Sequence, residues 1–348
     1  MNACCVGHFN RRAFLGAAAG AATTLFGTPL LAQPSARRTG IIDLHHHIIP
    51  PAIAHLVRDT GWSPQAAVEG MDRAGIAAGI SLASPLLGDD AKRRSAIARS
   101  CNEYAATLAR DYPGRFGLFA ALPMLDVAAT LVEIDYALDH LKADGFGIAS
   151  SYDDLWLGDE AFVPIWEKLD ARSAVVFVHP QDAACCSPQS MTYRKSMVPG
   201  PPITGAYIEW PMNTARTIFS LMSSGTVRRF PRIRFIFAHG GGVMPLLVQR
   251  LAGFSSSPSG AARPKAYFPN GVAAEFATLY FECAQSFSRP NIDTLRALVP
   301  DSRILFGSDF PAFPLEVAVK QFEAVNLPSA ARAQIARENA AKLLPRWA

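Results

Sequence analysis

Two histidines separated by a single residue follow an apolar run near position 40. Residues 41–47 read Ile-Ile-Asp-Leu-His-His-His, which places His45 and His47 two positions apart. Side chains two apart on a β-strand point to the same side of it. The two imidazoles can therefore converge on one point, which is the beginning of a divalent-metal site. A solvent-exposed histidine cluster is the alternative, and the rest of the chain must decide between the two.

Three other apolar runs end in the same way. The polar residues that follow them are His179 with Pro180, His239 with three glycines, and Asp309 after Gly307-Ser308. The chain has eight histidines, and five of them lie at these strand ends. The packing of an apolar core does not require polar side chains at the ends of four strands. The pattern therefore predicts a metal site where these strand ends meet.

Short apolar runs alternate with amphipathic stretches along the chain from residue 39. The predicted strands are Thr39–Leu44, Gly79–Ala83, Arg115–Leu122, Phe146–Ser150, Ala174–Val178, Ile233–Ala238, Leu279–Cys283 and Arg303–Phe306. The predicted helices are Pro64–Ala74, Ala91–Asp111, Val127–Ala143, Glu160–Ala171, Thr214–Arg229, and two more near 290–299 and 315–325. Such alternation is typical of parallel strands joined by right-handed crossovers.

Eight strands in about 310 residues favour a closed (β/α)₈ TIM barrel. An open, doubly wound sheet is the competing architecture, but its first strand would lead into a glycine-rich phosphate loop. Here the first strand leads into His45, His46 and His47, and then Pro50. The carboxyl ends of all barrel strands lie on one face, which is where barrels carry active sites. The metal site is therefore predicted at that face.

The first 36 residues are predicted to be a twin-arginine signal peptide, and residues 37–348 a single barrel domain. Arg11-Arg12-Ala13-Phe14-Leu15 opens a stretch that is rich in Ala, Gly and Leu and has no further charge. An uncleaved membrane anchor is the alternative, although glycines and a proline weaken a spanning helix there. Cleavage after Ala32 or Ala36 would leave a periplasmic protein with no membrane attachment.

The charge balance argues against a nucleic-acid partner. The whole chain has a net charge of +4, and residues 1–38 contain four arginines and no acid. Without those four, 29 basic and 29 acidic side chains remain. No basic field is then left to attract nucleic acid or an anionic membrane. Of the six cysteines, two lie in the predicted signal peptide, and the remaining four are too few for a disulfide framework.

The chain resembles the amidohydrolase superfamily, and within it the aminocarboxymuconate semialdehyde decarboxylase branch. The motifs that carry the resemblance are His45-His46-His47, His179-Pro180, His239-Gly240-Gly241-Gly242, Gly307-Ser308-Asp309-Phe310-Pro311 and Glu338–Leu343. Two softer stretches, Phe177–Pro180 with Cys185-Cys186 and Tyr207–Pro211, look most like 6-methylsalicylate decarboxylases. The resemblance runs from about residue 40 to Leu344.

Four side chains form the expected ligand set. His45, His47, His179 and Asp309 offer three nitrogens and one carboxylate, with room left for water or substrate. Zinc fits this set best, and manganese is the alternative. We expect one ion, because a two-metal hydrolase would commonly place a bridging lysine at the end of strand four, where this chain has Ala149-Ser150-Ser151.

The histidine after strand six is assigned a catalytic role. His239 is a further possible ligand by its position, yet a fifth protein ligand would crowd an open site. The family pattern implies that it acts instead as a base that hydrogen-bonds a water molecule. Asp309 is expected to share in proton transfer as well as in metal binding.

Three residues are predicted to contact the substrate. Arg250 lies eleven residues after His239, where the resembled decarboxylases carry an arginine that binds the substrate carboxylate from the neighbouring subunit. A guanidinium suits bidentate carboxylate recognition, and this resemblance implies a homodimer; a solvated helix arginine is the alternative. Glu209 and Trp210 are expected to wall the pocket, with packing at a helix start as the alternative for Trp210.

Two reactions compete for this site. Non-oxidative decarboxylation of a small, salicylate-like aromatic acid is favoured by the closer resemblance and by Arg250. Hydrolysis of a lactone, ester or amide is the alternative, since the superfamily mostly catalyses hydrolysis. A non-enzymatic metal-binding module would not need His239 beside an open site. The sequence therefore predicts a carboxy-lyase that acts on a small aromatic acid.

Overall fold

A computed structural model describes residues 39–57, 60–83, 93–186, 205–254 and 266–348. The described residues form one main sheet of eight parallel strands, which we number β1 to β8 in chain order. The strands are Ile41–Ile48, Ile76–Ala83, Phe116–Ala121, Gly145–Ala149, Val175–His179, Arg234–Phe237, Tyr280–Glu282 and Ile304–Leu305. The predicted signal peptide and its cleavage sites lie outside the described residues.

The sheet closes on itself between its last and first strands. Each strand pairs in parallel with the next one along the chain, from β1 to β8. The N–H of Leu44 donates to the carbonyl of Phe306 at 3.0 Å, and the N–H of His47 donates to the carbonyl of Phe310 at 2.7 Å. These bonds join β1 to the segment of β8 and confirm the predicted (β/α)₈ barrel.

Helices α1 to α12 surround the sheet. Their bounds are Pro64–Ala74, Arg94–Asp111, Val127–Asp139, Val163–Ala171, Glu209–Ser223, Thr226–Arg229, Met244–Gly253, Val272–Phe276, Arg289–Arg296, Leu315–Ala324, Ser329–Ala333 and Asn339–Leu343. A π-helical turn, Gln334–Glu338, joins the last two. Short 3₁₀ turns lie at Ala54–Leu56, Glu160–Phe162, Ala184–Cys186, Gly205–Tyr207, His239–Gly241, Asp301–Arg303 and Pro345–Trp347.

Local signals explain where several helices begin and end. Ser63 caps α1 by accepting a hydrogen bond from the N–H of Ala66, and Gly75 ends that helix in the left-handed region with φ 71°. Where the sequence predicts one helix over 214–229, the structure has two, α5 and α6. The first of them begins at Glu209, five residues earlier than predicted. Gly225, with φ 80°, separates them, because a left-handed residue cannot continue an α-helix.

The barrel interior is a packed apolar core beneath the strand ends. Buried side chains from several strands fill it, including Leu44, Leu82, Phe119 and Phe177. The ring of Phe177 lies 5.1 Å, centroid to centroid, from the ring of His45. The histidines of β1 therefore rest on an apolar floor that closes the site from below. Among the described residues, no helix is both long and apolar enough to cross a bilayer.

Candidate metal centre

The two histidines of β1 face one carboxylate. The Nε2 atoms of His45 and His47 lie 3.0 Å apart. Oδ1 of Asp309 lies 3.3 Å from the first and 3.2 Å from the second. The N–H of Asp309 also donates to the carbonyl of His45 at 2.8 Å. The end of β8 is thus tied by its backbone to the strand whose histidines it faces.

His179, the last residue of β5, completes the group. Its ring centroid lies 5.0 Å from that of His45 and 4.9 Å from that of His47. One donor atom from each of His45, His47, His179 and Asp309 lies within 4.8 Å of every other. The structure therefore brings together all four residues that the sequence predicts as ligands.

Hydrogen bonds to the Nδ1 atoms of His45 and His179 determine which nitrogen of each ring faces the cluster of candidate ligands. Nδ1 of His45 lies 2.6 Å from a carboxylate oxygen of Glu282, and Nδ1 of His179 lies 2.6 Å from the carbonyl of Pro180. Both partners are acceptors, so each Nδ1 carries the proton and donates it. When the ring is neutral, its lone pair then lies on Nε2, as a metal ligand requires. This donor set fits a divalent ion such as zinc or manganese.

Electrostatics in the cluster favour a bound cation. Burial and the neighbouring His47 and His45 hold the pKa of His179 well below its ordinary value, and burial lowers the pKa of His47. Burial opposes the charge of Asp309, but His45 and hydrogen bonds from the cluster outweigh it and hold its pKa well below the usual range. Burial also opposes the charged form of His45, but Glu282 and Asp309 raise its pKa to about 10.

His239 stands beside the cluster, at the end of β6. Its Nε2 lies 3.5 Å from Oδ2 of Asp309, and its ring centroid lies 5.1 Å from that of His45. His239 and the three glycines that follow all have positive φ, between 56° and 82°. Such a backbone is costly for a residue with a Cβ and is common at functional sites. His239, with His45 and Glu282, forms a second group of metal-ligating atoms that shares His45 with the first.

A cavity of about 640 Å³ opens above these residues. His47, His179, His239 and Asp309 reach into it, and its other lining residues are mainly apolar, among them Ile49, Val57, Tyr207, Pro311 and Phe313. Ligand pockets of small-molecule enzymes have this size and this mixture of apolar walls and a few polar groups. The cavity is therefore the place where a substrate would meet the metal ligands.

Trp210 lies in the wall of the cavity. Its ring packs edge-on against His179 at 5.6 Å between centroids, and its Nε1–H donates to Oδ1 of Asp182 at 2.8 Å. Gly205 makes room for this contact, since a Cβ there would lie 2.1 Å from the same Asp182 oxygen. Trp210 is thus both packed and hydrogen-bonded in the position where it borders the cavity.

The other two residues predicted to contact the substrate, Glu209 and Arg250, do not line the cavity. Glu209 is buried at the start of α5, is not among the lining residues, and has an oxygen 3.5 Å from Nη1 of Arg216. Arg250 is exposed on α7, with its guanidinium carbon 5.5 Å from the ring centroid of Phe254. Within one chain, therefore, neither side chain contributes to the cavity wall.

Two buried carboxylates at the site were missed by the sequence analysis. Asp43 accepts hydrogen bonds from the N–H of His45 and from both the N–H and the hydroxyl of Ser308. Glu282 accepts hydrogen bonds from His45 and His239. Both are fully buried. The signal that could have found them is an acidic residue inside an apolar strand, which is rarely buried without partners.

The chain belongs to the amidohydrolase family, whose profile matches residues 42–346. It is 33% identical over 331 residues to a decarboxylase of Aspergillus niger, with 88% of each chain covered. It is 31% identical over 331 residues to a 6-methylsalicylic acid decarboxylase of Aspergillus aculeatus, covering 88% of this chain and 96% of that one. These matches confirm the family predicted from the strand-end motifs.

A solved structure has the same fold over most of the chain. The dihydroxybenzoic acid decarboxylase of Polaromonas, which holds manganese and the inhibitor 2-nitroresorcinol, superposes with a TM-score of 0.76 at 23% identity. The match covers 88% of this chain and 97% of that one. At this identity the likeness supports the barrel architecture, in agreement with the strand order described above.

Proposed function

We propose that this protein is a metal-dependent, non-oxidative decarboxylase of a small aromatic acid with a hydroxyl group next to the carboxylate. The observation that carries the proposal is the convergence of three histidines and Asp309 at the floor of a mainly apolar cavity. Curated relatives at 31–33% identity over 88% of this chain are decarboxylases, and two of them are named for 6-methylsalicylic acid. The salicylate-like class follows from that similarity.

We propose zinc as the ion, with manganese as the alternative. Three imidazoles and one carboxylate are an ordinary donor set for zinc. Manganese also accepts imidazole and carboxylate ligands, and the Polaromonas enzyme contains it. When bound, a divalent ion supplies a positive charge that stabilises negative charge on the phenolic and carboxylate oxygens of the substrate.

The protein's own side chains would bind the ring and deliver a proton. The apolar walls and Trp210 suit a flat aromatic ring, and they exclude water from it. Decarboxylation requires a proton at the ring carbon that bears the carboxylate, after which the carbon–carbon bond breaks and carbon dioxide leaves. Asp309 and His239 are 3.5 Å apart and both border the cavity. Because the lowered pKa of Asp309 leaves its carboxylate ionised, His239 is the proposed proton donor, acting through a water molecule, and Asp309 is the acceptor that orients it.

Arg250 is proposed to act on a neighbouring subunit. It is exposed on the surface of α7 and lies outside the cavity of its own chain. A homodimer in which α7 of one chain reaches the cavity of the other would place the guanidinium near the substrate carboxylate. Its planar fork can then bind both carboxylate oxygens.

Export by the twin-arginine route is also proposed, on the basis of Arg11-Arg12 and the uncharged stretch that follows. Replacing both arginines by lysine should retain the protein in the cytoplasm of the producing cell. Fractionation of cells that make the two forms, with blotting of periplasm and cytoplasm, measures this. Equal periplasmic amounts of both forms would refute the proposed route.

The function itself is tested with a panel of substrates. We expect purified, zinc-loaded protein to release carbon dioxide from 6-methylsalicylate and salicylate and to yield the corresponding phenols. The methyl esters of the same acids and simple lactones serve as controls for the hydrolase alternative. Release of acid from the esters or lactones, without carbon dioxide from the free acids, would show that the site is a hydrolase.

A further inference from the structure

Glu282 is a carboxylate with no exposure at all, at the end of β7, and both of its oxygens are occupied by donors. Oε1 lies 2.6 Å from Nδ1 of His45 and 2.9 Å from the backbone nitrogen of His239. Oε2 accepts the N–H of Ala284 at 2.8 Å. Glu282 is therefore placed to orient its neighbours and has no free oxygen pair to offer an ion.

The segment that follows β8 leaves space for the carboxylate of Glu282. A Cβ at Gly307, in the segment that leads to Asp309, would lie 1.9 Å from Oε2 of Glu282 and 2.8 Å from Cβ of His45. Any side chain at Gly307 would thus displace the carboxylate or the histidine. The glycine of the Gly307-Ser308-Asp309 motif is therefore explained by the position of Glu282, independently of the hydrogen bonds.

We propose that Glu282 is a positioning residue that fixes His45 as a ligand through Nε2 and, by the same oxygen, holds the backbone of His239 beside the metal centre. The proposal rests on the metal site of the proposed function, but it does not depend on which reaction that site catalyses. One buried carboxylate, that of Glu282, would thus connect the metal ligand His45 on β1 with the proton-transfer residue His239 after β6.

The physical basis is the fixed direction of three hydrogen bonds. A carboxylate can accept from His45, His239 and Ala284 at once, because both of its oxygens are acceptors. An amide at the same position has one oxygen and one NH₂ group. If the NH₂ group faces Ala284, it meets the backbone N–H of Ala284, and two donors oppose each other. If the NH₂ group faces His45, Nδ1 of His45 must accept a hydrogen bond. The proton of the neutral ring is then on Nε2, where it prevents metal binding. A glutamine of equal size therefore cannot replace Glu282.

Metal binding by Glu282→Gln tests this directly. Loss of an acceptor behind a ligand histidine typically lowers metal affinity by roughly 10- to 100-fold. We expect that loss for Zn²⁺ in competition with a coloured chelator, together with an altered visible spectrum of the Co²⁺-loaded variant. Glu133→Gln is the matched control, because Glu133 is also a buried carboxylate with Arg99 and Asn102 as partners and lies on α3. It should keep the wild-type affinity and spectrum.

Two outcomes would overturn the proposal. One is a Glu282→Gln protein whose Zn²⁺ affinity and Co²⁺ spectrum match the wild type, even if it is less stable. The other needs no variant and covers the case in which Glu282→Gln does not fold. Histidine-labelled, zinc-loaded wild-type protein should show at least two imidazoles with a slowly exchanging Nδ1 proton and a metal-bound Nε2 by NMR, and fewer would refute the assignment. Wild-type protein that binds neither zinc nor manganese would instead refute the proposed function.

Discussion

The carboxylate of Asp309 faces His239 with one oxygen and the histidines of β1 with the other. Oδ2 lies 3.5 Å from Nε2 of His239, whereas Oδ1 lies 3.3 Å from Nε2 of His45 and 3.2 Å from that of His47. One side chain therefore connects the metal-binding atoms with the residue proposed to move a proton. This relationship separates the two roles and makes them testable one at a time.

His239→Ala should keep its metal and lose most of its activity. His239 is outside the group of four ligands but borders the cavity, so its loss removes proton transfer and leaves the ion bound. General acid–base residues contribute roughly 10²- to 10⁴-fold to turnover. Elemental analysis and carbon dioxide release measure the two quantities. His179→Ala is the comparison, and it should lose the metal itself; an equal loss of metal in both variants would make His239 a ligand.

Arg250→Lys should raise the Michaelis constant for acidic substrates. An ammonium cannot reproduce the bidentate contact of a guanidinium. Loss of a hydrogen bond to a charged group costs about 1.5–3 kcal/mol, or roughly ten- to more than a hundredfold in kcat/KM. Steady-state kinetics on a salicylate series measures the change. The control is Lys320→Arg on α10, which exchanges lysine and arginine at another position of the chain. It should leave the Michaelis constant unchanged.

Mixed dimers test whether Arg250 acts between subunits. Arg250→Ala and His179→Ala chains should each be inactive alone, because one lacks the carboxylate contact and the other lacks a ligand. Refolded together, they should regain part of the activity, since each mixed dimer would have one site with all its residues. Verified mixed dimers without activity would show that Arg250 does not serve the neighbouring site.

Metal binding should release a proton between pH 6 and pH 7. Glu282 and Asp309 raise the pKa of His45 to about 10 against the effect of burial, so the metal-free ring holds a proton that the ion must displace. His47 and His179 have lowered pKa values and have no proton to release in this range. Apparent affinity should therefore increase with pH and level off near pH 10.

Calorimetry in two buffers with different ionisation enthalpies counts the protons released per zinc ion. About one proton is expected at pH 6, where hydrolysis of a zinc-bound water contributes little because its pKa is about 7. Heats that are the same in both buffers would show that His45 is neutral before the metal binds. The same titration gives the stoichiometry, for which one ion per chain is expected.

Gly242→Ala should destabilise the turn that carries His239. Gly242 has φ 61°, and a Cβ there would lie 2.2 Å from the carbonyl oxygen of Pro211. Backbone strain of this kind costs about 1–3 kcal/mol before the clash is counted. Gly271→Ala is the matched control, since Gly271 has φ 87° but open space around it. The melting temperature should fall clearly further for Gly242→Ala, and equal shifts would show that the contact with Pro211 is easily relieved.

The sequence alone determined the architecture and predicted the four candidate ligands that the structure brings together. Alternating strand and helix patterns specify a parallel barrel, because each pattern has its own hydrophobic period and each crossover is right-handed. Once the strands are parallel, their carboxyl ends must share one face, so His45, His47, His179 and Asp309 must meet there. Position along a strand was sufficient for this prediction, and no distance had to be known.

Only the tertiary structure decided how that face is supported and lined. Glu282 meets His45 across 237 positions of the chain, and Asp43 meets Ser308 across 265, so no local pattern records either contact. Adjacent residues also separate: Trp210 borders the cavity, whereas Glu209 turns to Arg216. Successive residues of a helix point about 100° apart, and only the packed position of α5 fixes which of the two faces the site.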